Sequence, residues 1–386
     1  MLKQIPRYTS AFFSKNQPVA YGLFFLVIFF IPFYSFLGDF HETFMYISIL
    51  CMLYIVLALG LNIIPGFTGL LDLGFVGFYA IGAYTSGLLT LKCGAMGPPW
   101  DILANYWVII PLAALNGALW GILLGAPTLR LTGDYFAIVT FGFSELVVLV
   151  IVNEMWLTRG PMGLPGISSP SIDLTFLYPI TRFFIENPIV YHFKGKLPFF
   201  YLIFFMMIVT IFIMNRLEDS RLGRAWFAIR DDEIAAECSG INIMRYKVIA
   251  FAISASFGAI GGSFFARWFG FISPVSFKFW ESILILCMVV LGGMGSIPGV
   301  ILGATVLVSL SEILRQVLEP WPDLVQARYA LFGIILILMM RFKPAGLIPL
   351  SRVKRVMSTK DESILQSMNE SFFSVSSGSK KLNKDR

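Results

Sequence analysis

The sequence predicts an all-α, polytopic membrane protein, and composition and patterning both support that prediction. Of the 386 residues, 57% are hydrophobic and only 13% are charged, whereas a soluble domain typically carries about 25% charged residues. The mean hydropathy is +0.78. Apolar runs approaching the ~20 residues that a helix needs to cross a bilayer recur along the chain. Most of the chain is therefore expected to lie in lipid, without a separate soluble domain.

About ten segments are predicted to span the membrane. In chain order they are residues 19–38, 43–64, 66–91, 106–126, 135–152, 198–214, 246–266, 280–293, 298–314 and 327–341. The first follows a basic segment but is too long for a signal-peptide core and lacks a small-residue cleavage site, so we expect it to be retained. Glycines and Pro298 divide 280–293 from 298–314, which suits either two short spans or one broken element.

Lys and Arg residues orient these spans, because cytoplasmic loops carry an excess of them. With the N-terminus inside, 20 of the 29 basic residues fall on the inner side. Residues 1–18 then form a cytoplasmic segment, and residues 351–386 form a Ser- and Lys-rich cytoplasmic tail that is expected to be disordered. The membrane domain covers 19–350, with an external loop at 153–197.

Several functional classes find little support in the sequence. The net charge of +6 has no nucleic-acid readout motif with it, and a membrane protein needs basic residues on its inner side. The four cysteines form no CxxC pair, and the two histidines lie far apart, so we expect neither disulfides nor a metal site. No GxxxxGK[ST] sequence is present, so the chain is not expected to bind ATP through a P-loop.

Glycines spaced four residues apart predict tight helix packing, because small residues let helix backbones approach each other in lipid. These glycines are Gly117, Gly121 and Gly125, then Gly258 and Gly262, then Gly299 and Gly303. The segment 66–91 also follows Pro65 and is rich in glycine. Such interrupted segments often mark broken helices around a binding site near the membrane midplane.

Two acidic residues inside predicted spans, Asp72 and Glu145, are candidates for the transport pathway. A charged side chain at the centre of a bilayer costs roughly 2.5–3.5 kcal/mol on insertion scales, so it normally faces a cavity or a partner. Contact with a polar solute is one interpretation. Hydrogen bonding to neighbouring backbone, or capping of a half-helix, is the other.

The predicted cytoplasmic loop at 215–245 has the pattern of two short helices. Apolar residues recur at helical spacing from Leu222 to Ile229, Asp231 or Asp232 suits an N-cap, and Gly240 suits the left-handed residue that ends a helix. A docking surface for another protein explains this organisation, and a helix lying in the membrane interface is the alternative.

This loop resembles the cytoplasmic EAA loop of ATP-binding-cassette (ABC) importer permeases, through Ile234-Ala235-Ala236-x-x-x-Gly240, although Ile234 stands where Glu is usual. Further segments resemble the branched-chain amino acid permeases of that family, particularly the LivM-type. They are residues 58–62, 69–74, 80–84, 157–163, 291–299 and 342–347.

The resemblance implies a permease subunit of the bacterial inner membrane that carries branched-chain or related hydrophobic amino acids. It implies a second permease subunit, two ATPase subunits that bind the ATP, and an external solute-binding protein. The residues that we predict for the pathway are Asn62, Asp72 and Glu145. The implied coupling residues are Arg224, Arg230, Asp231, Asp232, Glu233, Ala235, Ala236 and Gly240.

Other functions stay open at this point. The same architecture would suit a permease for urea or short amides, since a shared fold does not fix the solute. An ion-coupled secondary transporter is a different class, but it would leave the capped loop unexplained. A membrane enzyme is least supported, because the sequence offers no nucleophile–base or metal constellation.

Overall fold

The computed structural model describes residues 40–93, 105–128, 134–173, 190–192, 195–318, 333–334, 337, 341 and 346–348. The α-helices of the longer ranges are α1 (Phe40–Asn62), α2 (Phe75–Leu88), α3 (Tyr106–Thr128), α4 (Asp134–Asn153), α5 (Met155–Thr158), α6 (Lys196–Asp219), α7 (Arg221–Asp231), α8 (Glu233–Cys238), α9 (Ile243–Phe269), α10 (Phe279–Gly292) and α11 (Ile297–Leu318).

Shorter elements extend or connect these helices. A π-helical segment, Ile63–Thr68, prolongs α1, and another, Leu89–Cys93, prolongs α2. The 3-10 turns are Gly160–Met162 and Pro274–Phe277. The strands are β1 (Leu164–Pro165), β2 (Ser171–Asp173), β3 (Val190–His192) and β4 (Phe271–Ile272). β1 pairs antiparallel with β4, and β2 pairs antiparallel with β3. Over the described residues, the regular structure is thus helical apart from two small strand pairs in the connections.

In the described part of the chain, six helices are long and apolar enough to cross a membrane. They are α1 with its π-helical extension, α3, α4, α6, α9 and α11. Each corresponds to a predicted span, so the chain is a multi-pass helical membrane protein. The predicted span 19–38, residues 174–189 of the external loop and the tail 351–386 lie outside the described residues, as does most of 327–341.

The boundary between the second and third predicted spans was misplaced. The helix that begins with α1 runs on through Pro65 to Thr68. The widened turn of a π-helix accommodates Pro65, which lacks the N–H of a regular helix. Gly69, with a left-handed φ of 77°, ends this helix. The chain is then irregular until α2 begins at Phe75, so the predicted break in the third span lies at its start.

The helix α9 lies at the centre of the bundle, where it packs against α1, α2 and α3. Small residues allow this close packing. A Cβ atom on Gly82 would overlap the backbone of Ala259, and one on Gly117 would come within 2.7 Å of the Ala255 carbonyl oxygen. The tight packing predicted from the glycine spacing is therefore confirmed for α3 and α9.

The glycine-divided segment near the end of the chain forms two helices rather than one broken element. α10 and α11 pack together as a hairpin, with Gly292 against Gly299 and Met288 against Gly303. α10 has only 14 residues. At 1.5 Å per residue it is too short to cross a bilayer of about 30 Å by itself.

Candidate functional site: the interhelical loop and the membrane break

The loop between α6 and α9 folds into two capped helices, as predicted. The Ser220 hydroxyl caps α7 by accepting a hydrogen bond from the Gly223 N–H at 3.2 Å. Asp232, one of the two predicted caps, begins α8. Its carboxylate accepts from the N–H groups of Ile234 and Ala235 at 2.9 and 3.0 Å. Four orphan N–H groups at each helix start make such caps stabilising.

The end of α8 is a Schellman motif. Gly240 is left-handed, with a φ of 83°, which a residue without Cβ adopts at little cost. Its N–H donates to the Glu237 carbonyl, and the Ile241 N–H donates to the Ala236 carbonyl, at 2.9 and 3.1 Å. These bonds satisfy carbonyls that the helix leaves unpaired. The short helix α8 is therefore locally specified at both of its ends.

The apolar face of α7 packs onto the membrane helices. Trp226 is completely buried, and its ring stacks on Phe67 with centroids 6.3 Å apart. Its indole N–H donates to the Tyr246 carbonyl oxygen at 2.8 Å. Phe67 lies in the π-helical end of α1, and Tyr246 lies in the first turns of α9. The loop is thus held against two membrane helices by one aromatic side chain.

An ion pair attaches α8 to α9. The Lys247 ammonium lies 2.6 Å from the Glu233 carboxylate. Lys247 is only 5% exposed, whereas Glu233 is 45% exposed. A buried ammonium needs a partner because desolvation disfavours its charge. Glu233 therefore supplies the negative partner that the buried Lys247 ammonium needs, while part of the Glu233 side chain stays exposed to solvent.

The opposite side of the loop is exposed and mixes apolar with charged groups. Ile234 is 75% exposed and is the one large apolar side chain exposed among residues 215–245. The neighbouring exposed residues are Arg224, Asp231, Asp232, Glu233, Ala235 and Gly240, while Ala236 is buried against the molecule. The Arg224 guanidinium bonds within the loop, donating to the Asp219 carbonyl at 2.8 Å. We call this exposed side the docking face.

Arg230 points away from the docking face and into the bundle. Its guanidinium donates to the carbonyl oxygen of Gly66 in the π-helical end of α1. The side chain also covers Gly69 and Gly295, where an added Cβ would lie 3.1 Å from its Cγ and 3.0 Å from its Nη1. Burial lowers the pKa of the Arg230 guanidinium, and the nearby Asp231 carboxylate opposes that shift.

Asn62, predicted to line the pathway, is buried at the junction of α1 with the turn between α10 and α11. It is 1% exposed. Its side-chain oxygen, Oδ1, accepts a hydrogen bond from the Gly295 N–H at 2.9 Å. The structure therefore places Asn62 next to the Arg230 contacts, and its oxygen has a partner within the protein.

Asp72 lies in the irregular segment that separates α1 from α2. Its carboxylate is buried, and Oδ1 accepts a hydrogen bond from the Gly74 N–H at 2.8 Å. Beside it the Thr140 hydroxyl accepts from the Leu73 N–H at 3.2 Å. Asp side chains commonly bond the backbone two residues ahead in this way. The backbone-bonding interpretation of Asp72 thus has direct geometric support.

Glu145 lies near the middle of α4 on an exposed side of that helix. Ile138 and Leu149 on the same side are 61% and 56% exposed. The adjacent Ser144 is buried on the opposite side, where its backbone approaches Gly77 of α2. The three pathway candidates are therefore not gathered at one point, because Asn62 and Asp72 are interior while Glu145 faces outward.

Two further acidic residues of the spans escaped the sequence analysis. The Glu281 carboxylate accepts a hydrogen bond from the Tyr54 hydroxyl at 2.8 Å. Next to it, the Ser282 hydroxyl accepts from the Val76 N–H at 3.1 Å, at the start of α2. Glu312 is buried in α11 and paired with Arg315 one turn on. Both glutamates fall inside predicted spans, so the sequence alone could have identified them as acidic residues within the membrane.

Long apolar helices, a break inside the bundle and a capped loop bound to the helix ends define a multi-pass helical membrane protein. The chain belongs to the family described as branched-chain amino acid transport system / permease component, whose model matches residues 43–340. This confirms the family that the sequence motifs indicated.

The similar proteins include two LivM permeases and one LivH permease. The high-affinity branched-chain amino acid transport system permease protein LivM of Salmonella typhimurium is 42% identical over 313 residues, covering 79% of this chain and 70% of the relative. A probable LivM of Methanocaldococcus jannaschii is 27% identical, covering 77% and 90%. The LivH protein of Escherichia coli is 26% identical, covering 78% and 93%. No solved structure matches the chain.

Proposed function

We propose that this chain is a permease subunit of an ABC importer, and that it forms part of the translocation pathway for branched-chain amino acids. Family membership and the 42% identity to a LivM permease support this proposal. They favour it over urea or short-amide transport, and over an ion-coupled transporter working alone.

The docking face is the observation that carries the coupling part of the proposal. Ile234 is the one large apolar side chain exposed among residues 215–245, and charged and polar residues surround it, which suits the apolar centre and polar rim of a protein–protein contact. The caps, the Trp226 anchor and the Glu233–Lys247 pair hold α8 in one place. Preorganisation lowers the entropic cost of binding a partner. We therefore assign this face to an ATPase subunit, which binds the ATP that this chain has no P-loop to hold.

The proposed assembly has two permease subunits, two ATPase subunits and an external solute-binding protein in the bacterial inner membrane. The chain has about ten spans and cytoplasmic termini, so that the docking face lies in the cytoplasm. ATP-driven closure of the ATPases moves the loop, and the membrane helices alternate between outward-open and inward-open states. Such a switch requires contacts that differ between the two states.

Within the membrane we assign different tasks to the three predicted pathway residues. Asp72 stabilises the break before α2, and Asn62 joins α1 to the α10–α11 turn, so we assign to both the task of shaping the pathway. Glu145 is exposed on α4, where the second permease subunit would cover it. A carboxylate there is suited to the solute ammonium group or to a polar group of the partner subunit.

Co-purification tests the assignment of the docking face. We would isolate the chain from its native membrane after gentle crosslinking, and compare Ile234→Asp with Met162→Asp. Both residues are exposed and apolar, but Met162 is 84% exposed in the predicted external loop. An ATPase subunit should accompany the wild type and Met162→Asp and be lost from Ile234→Asp, as measured by quantitative mass spectrometry. Equal recovery from both variants, with leucine uptake unchanged, would remove the docking assignment.

A further inference from the structure

Three separate elements meet at the Arg230 side chain. They are the last turn of α7, the π-helical end of α1 and the turn between α10 and α11. Arg230 donates to the Gly66 carbonyl, and Gly66 in turn lies against Gly295 so closely that a Cβ on Gly66 would sit 2.6 Å from the Gly295 nitrogen. Asn62 binds that same nitrogen through its side-chain oxygen. The contacts therefore join one loop and three membrane helices.

We infer that Arg230, Gly66, Asn62 and Gly295 form a clasp through which the coupling loop moves α1 and the α10–α11 hairpin as one unit. This inference deepens the proposed function: the role of the clasp in transport rests on that function, whereas the contacts of the clasp do not. It separates two tasks within the loop. The docking face receives the partner, and Arg230, on the other side of the same loop, passes the motion into the membrane domain.

The chemistry of the clasp suits a positioning role. Carbonyls in the last turn of a helix lack intrahelical donors, and an Arg side chain binds such carbonyls while matching the negative end of the helix dipole. Arg230 supplies that cap to α1 from another element. Small residues make the approach possible, since a Cβ on Gly69 or Gly295 would crowd the Arg230 side chain.

The clasp is also reinforced by packing. Phe67, next to Gly66, contacts both Trp226 and Phe227 of α7, with ring centroids 6.3 and 5.1 Å apart. A displacement of α7 therefore cannot leave the end of α1 in place without exposing these rings. The Asn62–Gly295 hydrogen bond extends the connection to the α10–α11 turn, where Gly295 adopts a φ of 87°.

Hydrogen exchange of the purified chain in detergent tests the clasp independently of transport. Loss of a hydrogen bond from a charged donor should speed amide exchange over residues 293–296 by about tenfold in Arg230→Gln. Arg221→Gln removes a positive charge of the same type from the first turn of α7, where the side chain is exposed rather than half-buried like Arg230, and should leave that exchange unchanged. Exchange in Arg230→Gln equal to that of the wild type would overturn the clasp.

The assembled complex in liposomes tests the transmission of motion. With leucine as the probe, Arg230→Gln should keep its ATPase subunit and hydrolyse ATP, while leucine moved per ATP falls by about tenfold. Arg230→Lys, which retains a charged donor, should recover part of that ratio. Loss of the ATPase subunit from Arg230→Gln would assign Arg230 to docking and overturn the inference, as would an unchanged ratio.

A second variant guards against misfolding of the first. Asn62→Leu breaks the clasp from within the membrane domain without touching the loop, so it should lower leucine moved per ATP while ATPase recovery stays normal. An unchanged ratio in Asn62→Leu would also overturn the inference. Absence of any ATPase subunit from the wild type would instead defeat the proposed function, and the exchange result would still decide whether the clasp exists.

Discussion

The side chain of Asn62 and the backbone of Gly295 are joined by a hydrogen bond of 2.9 Å, although 233 residues separate them in the sequence. The bond closes the bundle where α1 ends and α11 is about to begin. Arg230 reaches the same place from the loop. The part of the membrane domain closest to the loop between α6 and α9 is therefore also the part where helices distant in the sequence are joined.

The contacts of Trp226 predict graded effects on stability. Trp226→Phe keeps an aromatic ring against Phe67 but leaves the Tyr246 carbonyl without its donor, so we expect a loss of about 1 kcal/mol. Trp226→Ala removes a fully buried ring and should cost about 3–5 kcal/mol. Thermal melting of the chain in detergent would measure both. Equal melting temperatures for the two variants would show that the ring is not packed as described.

The Glu233–Lys247 pair predicts non-additive mutations. Glu233→Gln leaves a buried ammonium without its carboxylate, and because Glu233 is half exposed we expect a moderate loss of about 1–3 kcal/mol. Lys247→Met removes the charge that needs a partner, so Glu233→Gln should cost little in its presence. A double-mutant cycle by thermal melting measures the difference. Strict additivity would contradict the pairing.

The backbone bond of Asp72 predicts that its shape matters more than its charge. Asp72→Asn keeps an acceptor for the Gly74 N–H, so folding and leucine uptake should both persist. Asp72→Ala leaves that buried N–H unpaired, which should cost about 1–3 kcal/mol of stability. Melting temperature and uptake are the measurements. If Asp72→Asn melts like the wild type but no longer transports, the carboxylate itself contacts the solute or a proton.

Local signals in the sequence predicted the loop well. The caps, the apolar spacing and Gly240 act within a few residues of one another, so they specify where α7 and α8 begin and end without reference to distant parts of the chain. The long apolar helices could also be predicted from the sequence, because the thickness of the bilayer sets their length. The glycines opposite Ala255 and Ala259 indicated close packing because small residues at a spacing of four let helix backbones approach each other.

Long-range contacts were beyond what the sequence shows. Helical spacing puts Arg230 at the edge of the apolar face of α7 and Arg224 on the other side, but no local pattern indicates that Arg230 binds the Gly66 carbonyl. Asn62 was predicted as a pathway residue, but the hydrogen-bond partner of its side chain lies 233 residues away in the sequence. The helix end at Thr68 was missed because Pro65 normally stops a regular helix, whereas a π-helical turn tolerates it.

The position of Glu145 predicts a role outside the isolated subunit. A charged residue in the middle of a lipid-facing helix costs roughly 2.5–3.5 kcal/mol on insertion scales, so Glu145→Leu should leave the chain at least as stable in detergent as the wild type. If the second permease subunit or the solute covers this side of α4, the same variant should lose most leucine uptake. Melting temperature and uptake by the assembled complex would be measured together.

Glu154→Leu is the matched control for Glu145→Leu, because it makes the same change just beyond the end of α4. Glu154 is exposed there, and its carboxylate accepts only a local hydrogen bond from the Trp156 indole among those described, at 2.6 Å. We expect normal uptake from this control. Normal uptake from Glu145→Leu as well would mean that lipid covers this side of α4. The carboxylate would then have no part in the pathway. If it did contact the solute or the partner subunit, replacing it with an apolar side chain would reduce uptake.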